Sequence, residues 1–402
     1  MDGETPQLHK HNWFAISVLV GVCIVSLLYS GTTLWPVFFD QRSPLIEEYA
    51  GLYENQEYGA DFLRGIELNR QAKFTEAIPY LEQALLSAQT PNEEAYAKLS
   101  LSSSYFAVDQ EKAVSLLKEV ATNEVYPPPR RSQAYILLAQ KLSSNPSSQY
   151  VSYLFTGSDW ESLIPKSLSR FDIRESIAKL MYISIDIYPD FFAYLWSSWR
   201  NSYASLYTIE SKDEQIFYSQ KSLKQFSDGN IILEDTASAS RWDPGQIAYG
   251  RLIKAAVLGN LIELSQKGLV TVEQTQTDVV QAYEGTIAFA DTHASYDYLA
   301  EEMSGMSRIY YMLYLVGTSS PEKVPSEKLV ELSEEFVSLK SSMGSDRYAH
   351  VFKWLANVQV GFFKNSRYAL AMVVNLNPRF KSDLINVFGG WKEADFSAIL
   401  KP

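Results

Sequence analysis

Cysteine is nearly missing from this chain: Cys23 stands alone in 402 residues, which excludes any disulfide within it. Histidine is scarce as well. His9 and His11 flank Lys10 in a tail that offers no closed ligand shell, and His293 and His350 belong to no metal-spacing motif. No G-x-S-x-G, phosphate-loop or dinucleotide-type glycine pattern occurs. Glu301-Glu302 and Glu334-Glu335 are adjacent acids on expected helices. Adjacent helical side chains point in different directions, so these pairs read as solvated faces rather than acid/base dyads. We therefore assign no catalytic, cofactor-binding or metal-ligating residue and expect no enzyme. An enzyme whose carboxylates converge only in three dimensions is a rival. Basic residues are the minority, 35 against 47 acidic ones, and the net charge of −12 disfavours a nucleic-acid partner. Period-two alternation is almost absent, so the chain is expected to be all-α.

The longest absence is of charge. Residues 12–39 contain no Asp, Glu, Lys or Arg and include the run WFAISVLVGVCIVSLLY from Trp13 to Tyr29. A helix rises about 1.5 Å per residue, so about 20 apolar residues cross a hydrocarbon core of roughly 30 Å. We expect an N-terminal transmembrane helix at 12–39, after a tail at 1–11 and before a juxtamembrane segment at 40–56, with the lipid bilayer as its partner. Trp13 on one side and Tyr29, Trp35, Phe38 and Phe39 on the other suit interfacial aromatic belts. A cleaved signal would want a basic leader and small residues before the cut. The leader instead sets Lys10 against Asp2 and Glu4, and Ser30 with Thr32 is the best small pair. A lipid-bearing Cys23 would need a small residue before it, where Val22 stands. A soluble core helix of this length would alternate polar and apolar faces. Positive-inside counting ties Lys10 against Arg42. The amino terminus near Lys10 and the acids Asp40, Glu47, Glu48 and Glu54 lean towards a cytoplasmic N-terminus. The expectation is a single-pass protein of a bacterial inner membrane whose C-terminal domain is extracytoplasmic.

Beyond the tether, small and apolar residues recur in a helix-hairpin pattern. In DFLRGIELNRQAKFTEAIPYLEQALLSAQTPNEE they are Gly65, Leu68, Phe74, Ala77, Leu81 and Ala84. Gly65 and Ala77 would let two antiparallel helices approach, while Leu68, Phe74 and Leu81 fill the seam. This unit resembles the tetratricopeptide repeat, with departures at Asp61, where a large apolar residue is usual, and at Pro91, about two residues late. A second unit follows with Leu101, Ser102, Tyr105, Ala113 and Leu117, and a third first-helix carries Leu138 and Ala139. Gly65, Ser102 and Ala139 share a 37-residue spacing (102 − 65 and 139 − 102), slightly longer than the family's period. The resemblance covers about 57–157 and implies an α-solenoid that binds partners through its first helices. By that carry-over the candidate partner-binding residues are Arg64, Asn69, Lys98 and Tyr105.

Residues 158–402 read as divergent helical hairpins, with a compact helical bundle as the rival. The prolines of YPPPRR (126–131) and the stretch SSNPSSQ (143–149) mark breaks. The polar stretch 227–245 reads as the longest loop and a boundary, and Gly250, Ala255, Ala256, Gly259 and Gly285 mark close helix packing. Phe192, Trp196, Trp199 and Tyr203 recur at four, three and four, a single helical stripe that reads as core, with a binding platform as the alternative. Taken together the residues point to a membrane-anchored helical-repeat scaffold for protein–protein contacts at the cell envelope, an assembly or secretion accessory by class. The rival is an extracytoplasmic glycan-binding protein that uses the Tyr- and Trp-rich helices.

Overall fold

Thr90 and Glu93 start the second helical pair. Glu93 N donates to Thr90 Oγ1 (3.2 Å), Thr90 N donates back to the Glu93 carboxylate (3.1 Å), and Pro91 takes the first helical position. A proline there loses nothing, because that N–H has no partner inside the helix. The proline that is late by the repeat pattern is thus the opening of the next helix.

The computed structural model describes residues 56–388 apart from 145–147, 155–159, 161–162, 164–169, 208, 239–243, 319–324, 346, 350 and 352–371. The tail and anchor expected at 1–39 lie outside the described residues, as does nearly all of the juxtamembrane segment. Among the described residues no helix is long and apolar enough to cross a membrane. The regular elements described are all α-helical, as expected. They are α1 (Gln56–Arg70), α2 (Phe74–Ser87), α3 (Pro91–Tyr105), α4 (Gln110–Thr122), α5 (Pro128–Ser144), α6 (Ser148–Leu154), α7 (Arg170–Ile187) and α8 (Phe191–Tyr207). They continue with α9 (Lys212–Ser238), α10 (Pro244–Gln266), α11 (Gln276–His293), α12 (Tyr298–Thr318), α13 (Ser326–Ser338), α14 (Lys340–Met343) and α15 (Pro378–Phe388).

Helices pack mainly on their sequence neighbours, and helices two apart also touch: α1 with α3, α3 with α5, α8 with α10, α10 with α12. Stacked helix pairs produce this connectivity. The first pair closes through its small residues, since a Cβ on Gly65 would stand 2.5 Å from Leu81. Gly65, Ser102 and Ala139 are all buried, on α1, α3 and α5 in turn.

The stretch 227–245, read as a loop from its Ser, Asp and Gly content, is helical through Ser238 in α9, and Pro244 already begins α10. Gly229 explains the difference. A Cβ there would sit 2.9 Å from Tyr194 Cβ and 3.1 Å from Leu195, so the glycine admits α8 rather than turning the chain. Serines continue the same seam: Ser198 Oγ donates to Ser222 O at 2.7 Å, and the Ser205 and Ser219 hydroxyls meet at 2.8 Å. Small side chains bring backbones close and satisfy one another's hydroxyls. Gly250 likewise admits Phe191 and Leu233, and Gly259 faces Tyr314.

Asp297 ties α12 to α10. One carboxylate oxygen accepts from Ala300 N at 2.9 Å, capping α12, and the other accepts from Gly245 N at 3.1 Å in the first turn of α10. Near this point the row of helices meets itself. The Phe74 ring of α2 stands edge-on to Tyr298 of α12, 5.7 Å between centroids. Arg347 donates to Tyr298 O and pairs with Glu301 at 2.9 Å and with Glu302 at 3.4 Å. Lys141 of α5 interacts electrostatically with Glu302 and stands over the Phe106 ring. Burial drives the Glu302 carboxyl up to about 7, against the pull of Arg347 and Lys141. Side chains of α2 and α5 and the Arg347 guanidinium thus gather at the start of α12.

Asp190, just before α8, is 6% exposed, and its Oδ1 accepts from Phe192 N at 2.8 Å. Burial raises its carboxyl from 3.8 to about 7, although two backbone N–H groups oppose the shift. An acid raised on folding contributes full stability below its ordinary pKa, and that contribution is lost as pH rises through about 7. A shift of this size corresponds to on the order of 4 kcal/mol. Asp190→Asn keeps a cap acceptor and removes the charge. We expect it to match the parent in urea unfolding near pH 4 and to exceed it by about 2–4 kcal/mol at pH 8. Glu302 supplies a residual slope of the same sign in both proteins. Equal stability of variant and parent at pH 8 would contradict an ionisable burden at Asp190.

Candidate functional site

The four residues carried over from the repeat resemblance are placed as follows. Arg64 is exposed and pairs with Glu67 on its own helix at 3.1 Å. Asn69 is buried; its Nδ2 donates to Ser100 O at 3.1 Å and its Oδ1 accepts from Ser104 Oγ at 2.6 Å, which joins α1 to α3. Lys98 donates to Glu94 (2.6 Å), Glu119 (2.5 Å) and the Tyr126 hydroxyl (2.7 Å). Burial disfavours its ammonium, but those three acceptors outweigh it and its pKa is raised. Tyr105 donates to Glu82 at 2.5 Å and also meets Lys112 Nζ. The four share no partner in these contacts. Three of them already spend their polar atoms inside the molecule.

The aromatic stripe lies inside α8. Phe192, Trp196 and Trp199 are at most 6% exposed, and the Trp196 and Trp199 rings meet edge-on at 5.4 Å. This is the core arrangement that the four-three-four spacing predicts.

A groove opens over α10. α10 is sandwiched by α8, α9, α11 and α12, and its sequence carries charge only at Arg251, Lys254 and Glu263. Arg251 and Lys254 are three residues apart, so both lie on the strip of α10 that α9 and α11 leave uncovered. The cavity above that strip has a volume of about 160 Å³ and is lined by Glu234 of α9, the two cations, and Gln281, Ala282, Gly285 and Thr286 of α11. Lys254 Nζ is held by the Glu234 carboxylate at 2.7 Å. The Arg251 guanidinium carbon lies 4.3 Å from the centre of the Phe289 ring. It makes no ion pair or hydrogen bond among the described residues. A Cβ on Gly285 would meet nothing within 4 Å, so this glycine, expected to mark close helix packing, instead faces the open groove.

A stacked guanidinium presents a rigid fork of donors suited to a planar anion. The signal for it was present in the sequence as R-x-x-K on a helix otherwise almost free of charge. A long cation on an apolar helix more commonly just carries its stem past the surface, which is why the pattern does not announce a site. Among the described residues no group of three or more His, Cys, Asp or Glu is placed to hold a metal ion.

No family model, curated protein or solved structure matches this chain.

Proposed function

We propose that the chain is a protein-binding scaffold made of stacked helix pairs, similar in its first units to tetratricopeptide repeats. The apolar segment 12–39 holds it to a bacterial inner membrane with the helical body on the extracytoplasmic side. One observation carries the reading: successive helices pack in a row, and the row leaves a polar groove over α10 whose guanidinium has no charged partner among the described residues. Such rows offer extended binding surfaces. A tether confines encounters to the membrane plane and makes weak contacts effective through raised local concentration.

The test is crosslinking and affinity capture from detergent-solubilised membranes, with reciprocal capture of whatever is found, alongside protease accessibility in spheroplasts. The expected result is one protein partner recovered in both directions and a helical body that protease digests from outside. Failure to recover any partner reciprocally would overturn the scaffold. A body that stays protected in intact spheroplasts would overturn its placement.

A further inference from the structure

We infer that the groove over α10 recognises the carboxylate side chain of a protein partner, with Arg251 as the fork that grips it. The inference rests on the scaffold reading and names the chemistry of its contact. Four features support it. Arg251 is partly buried and held against Phe289, so the guanidinium is oriented before any ligand arrives and loses little freedom on binding. Lys254 is already neutralised by Glu234, which leaves one net positive charge in the lining. A single carboxylate balances that charge, whereas a doubly charged phosphate would leave the groove with a net negative charge. The volume of about 160 Å³ is well below the roughly 300–1,000 Å³ of cofactor and drug-sized sites, and it suits one inserted side chain. Gly285 keeps the entrance clear, since any larger residue there would project into the cavity.

The experiment uses the full chain in detergent and ligand-observed NMR with two probes, N-acetyl-glutamate amide and its neutral counterpart N-acetyl-glutamine amide. Binding of the glutamate probe should be weak, exceed that of the glutamine probe, and fall with added salt. Arg251→Gln should weaken it by about 10- to 100-fold, the range that loss of charge-assisted hydrogen bonds implies. Arg251→Lys keeps the charge without the fork and should fall between. Gly285→Met fills the cavity with both cations in place, meets no neighbour at its Cβ, and should abolish binding in a folded protein. Lys212→Gln, exposed at the end of α9 opposite Glu234, should leave binding intact. In parallel, a photo-crosslinking residue at position 285 is used in native membranes, with and without Arg251→Gln.

Selective glutamate binding lost in both groove variants, with a protein crosslink lost in Arg251→Gln, supports the inference. Equal binding of the two probes, or binding indifferent to Arg251→Gln and Gly285→Met, overturns it even if a partner crosslinks at 285, and the scaffold reading then survives alone. Selective glutamate binding with no protein crosslinked assigns the groove to a free small carboxylate, which overturns the partner and counts against the scaffold.

Discussion

Trp199→Ala should destabilise the protein by roughly 3–5 kcal/mol, the usual cost of emptying a large aromatic from a core. The measurement is the midpoint of urea unfolding at constant slope. Trp199 is 4% exposed and stands edge-on to Trp196 at 5.4 Å and beside Tyr203 at 5.7 Å. The helix it occupies is packed by α7, α9 and α10 and Trp199 belongs to the main core, so the space it leaves cannot simply close. A surface platform would behave otherwise. Truncating an exposed ring typically changes stability by under about 0.5 kcal/mol and removes binding instead. An unchanged midpoint with binding lost would refute the core assignment of the whole stripe.

The second large effect is expected at Arg308. Its guanidinium forms two parallel bonds to Asp291 of α11 (3.1 and 2.8 Å), one to Glu335 of α13 (2.9 Å), and contacts to Ser304 Oγ (2.6 Å) and O (3.2 Å) on its own helix. One side chain thus fastens three consecutive helices. Breaking a fully buried ion pair costs about 3–5 kcal/mol because a charge is left stranded. Here Asp291 and Glu335 keep 42% and 43% of their side-chain exposure, so both rehydrate when Arg308 is removed. Arg308→Ala should therefore cost less, roughly 2–3 kcal/mol in the same assay. Arg308→Met, which keeps the stem's packing, should restore part of it. A cost under about 0.5 kcal/mol for alanine would show that the three helices hold without this clasp.

The parts of the fold that could be read in advance are those encoded by local spacing. Gly65 opposite Leu81, the stop and start at Tyr126 to Pro128, and the buried stripe of α8 all follow from periodicity and from the chemistry of proline and glycine. The misreading of 227–238 has a specific cause. Serine, aspartate and glycine ordinarily mark turns because they compete with or loosen the backbone. In α9 Gly229 and the serines serve instead as contact points for α8, and only the partner helix reveals that role.

The candidate site was less legible for a related reason. Arg64, Asn69, Lys98 and Tyr105 came from the position of first helices in a repeat, which says where a side chain sits but not what else reaches it. Glu119 and Tyr126, Ser100 and Ser104, and Glu82 and Lys112 come from other helices or other turns and take up three of the four. The groove over α10 depends on Glu234, Arg251 and Gly285, which lie on three different helices, and no one-dimensional pattern joins them. What the sequence did carry was Arg251 and Lys254 as isolated charges on an apolar helix, a feature whose meaning depends on which strip the neighbours leave bare.

An open ladder of repeats can lose or gain a rung at either end, because each rung leans only on those beside it. The touch between Phe74 and Tyr298 ties the first helix pair of this molecule to α12 as well. Trimming α1 and α2 would take away the ring that stands edge-on to Tyr298, beside Glu302 and Arg347. That contact joins positions 224 residues apart (298 − 74), so the loss of the first pair would be felt at α12 as well as at α3.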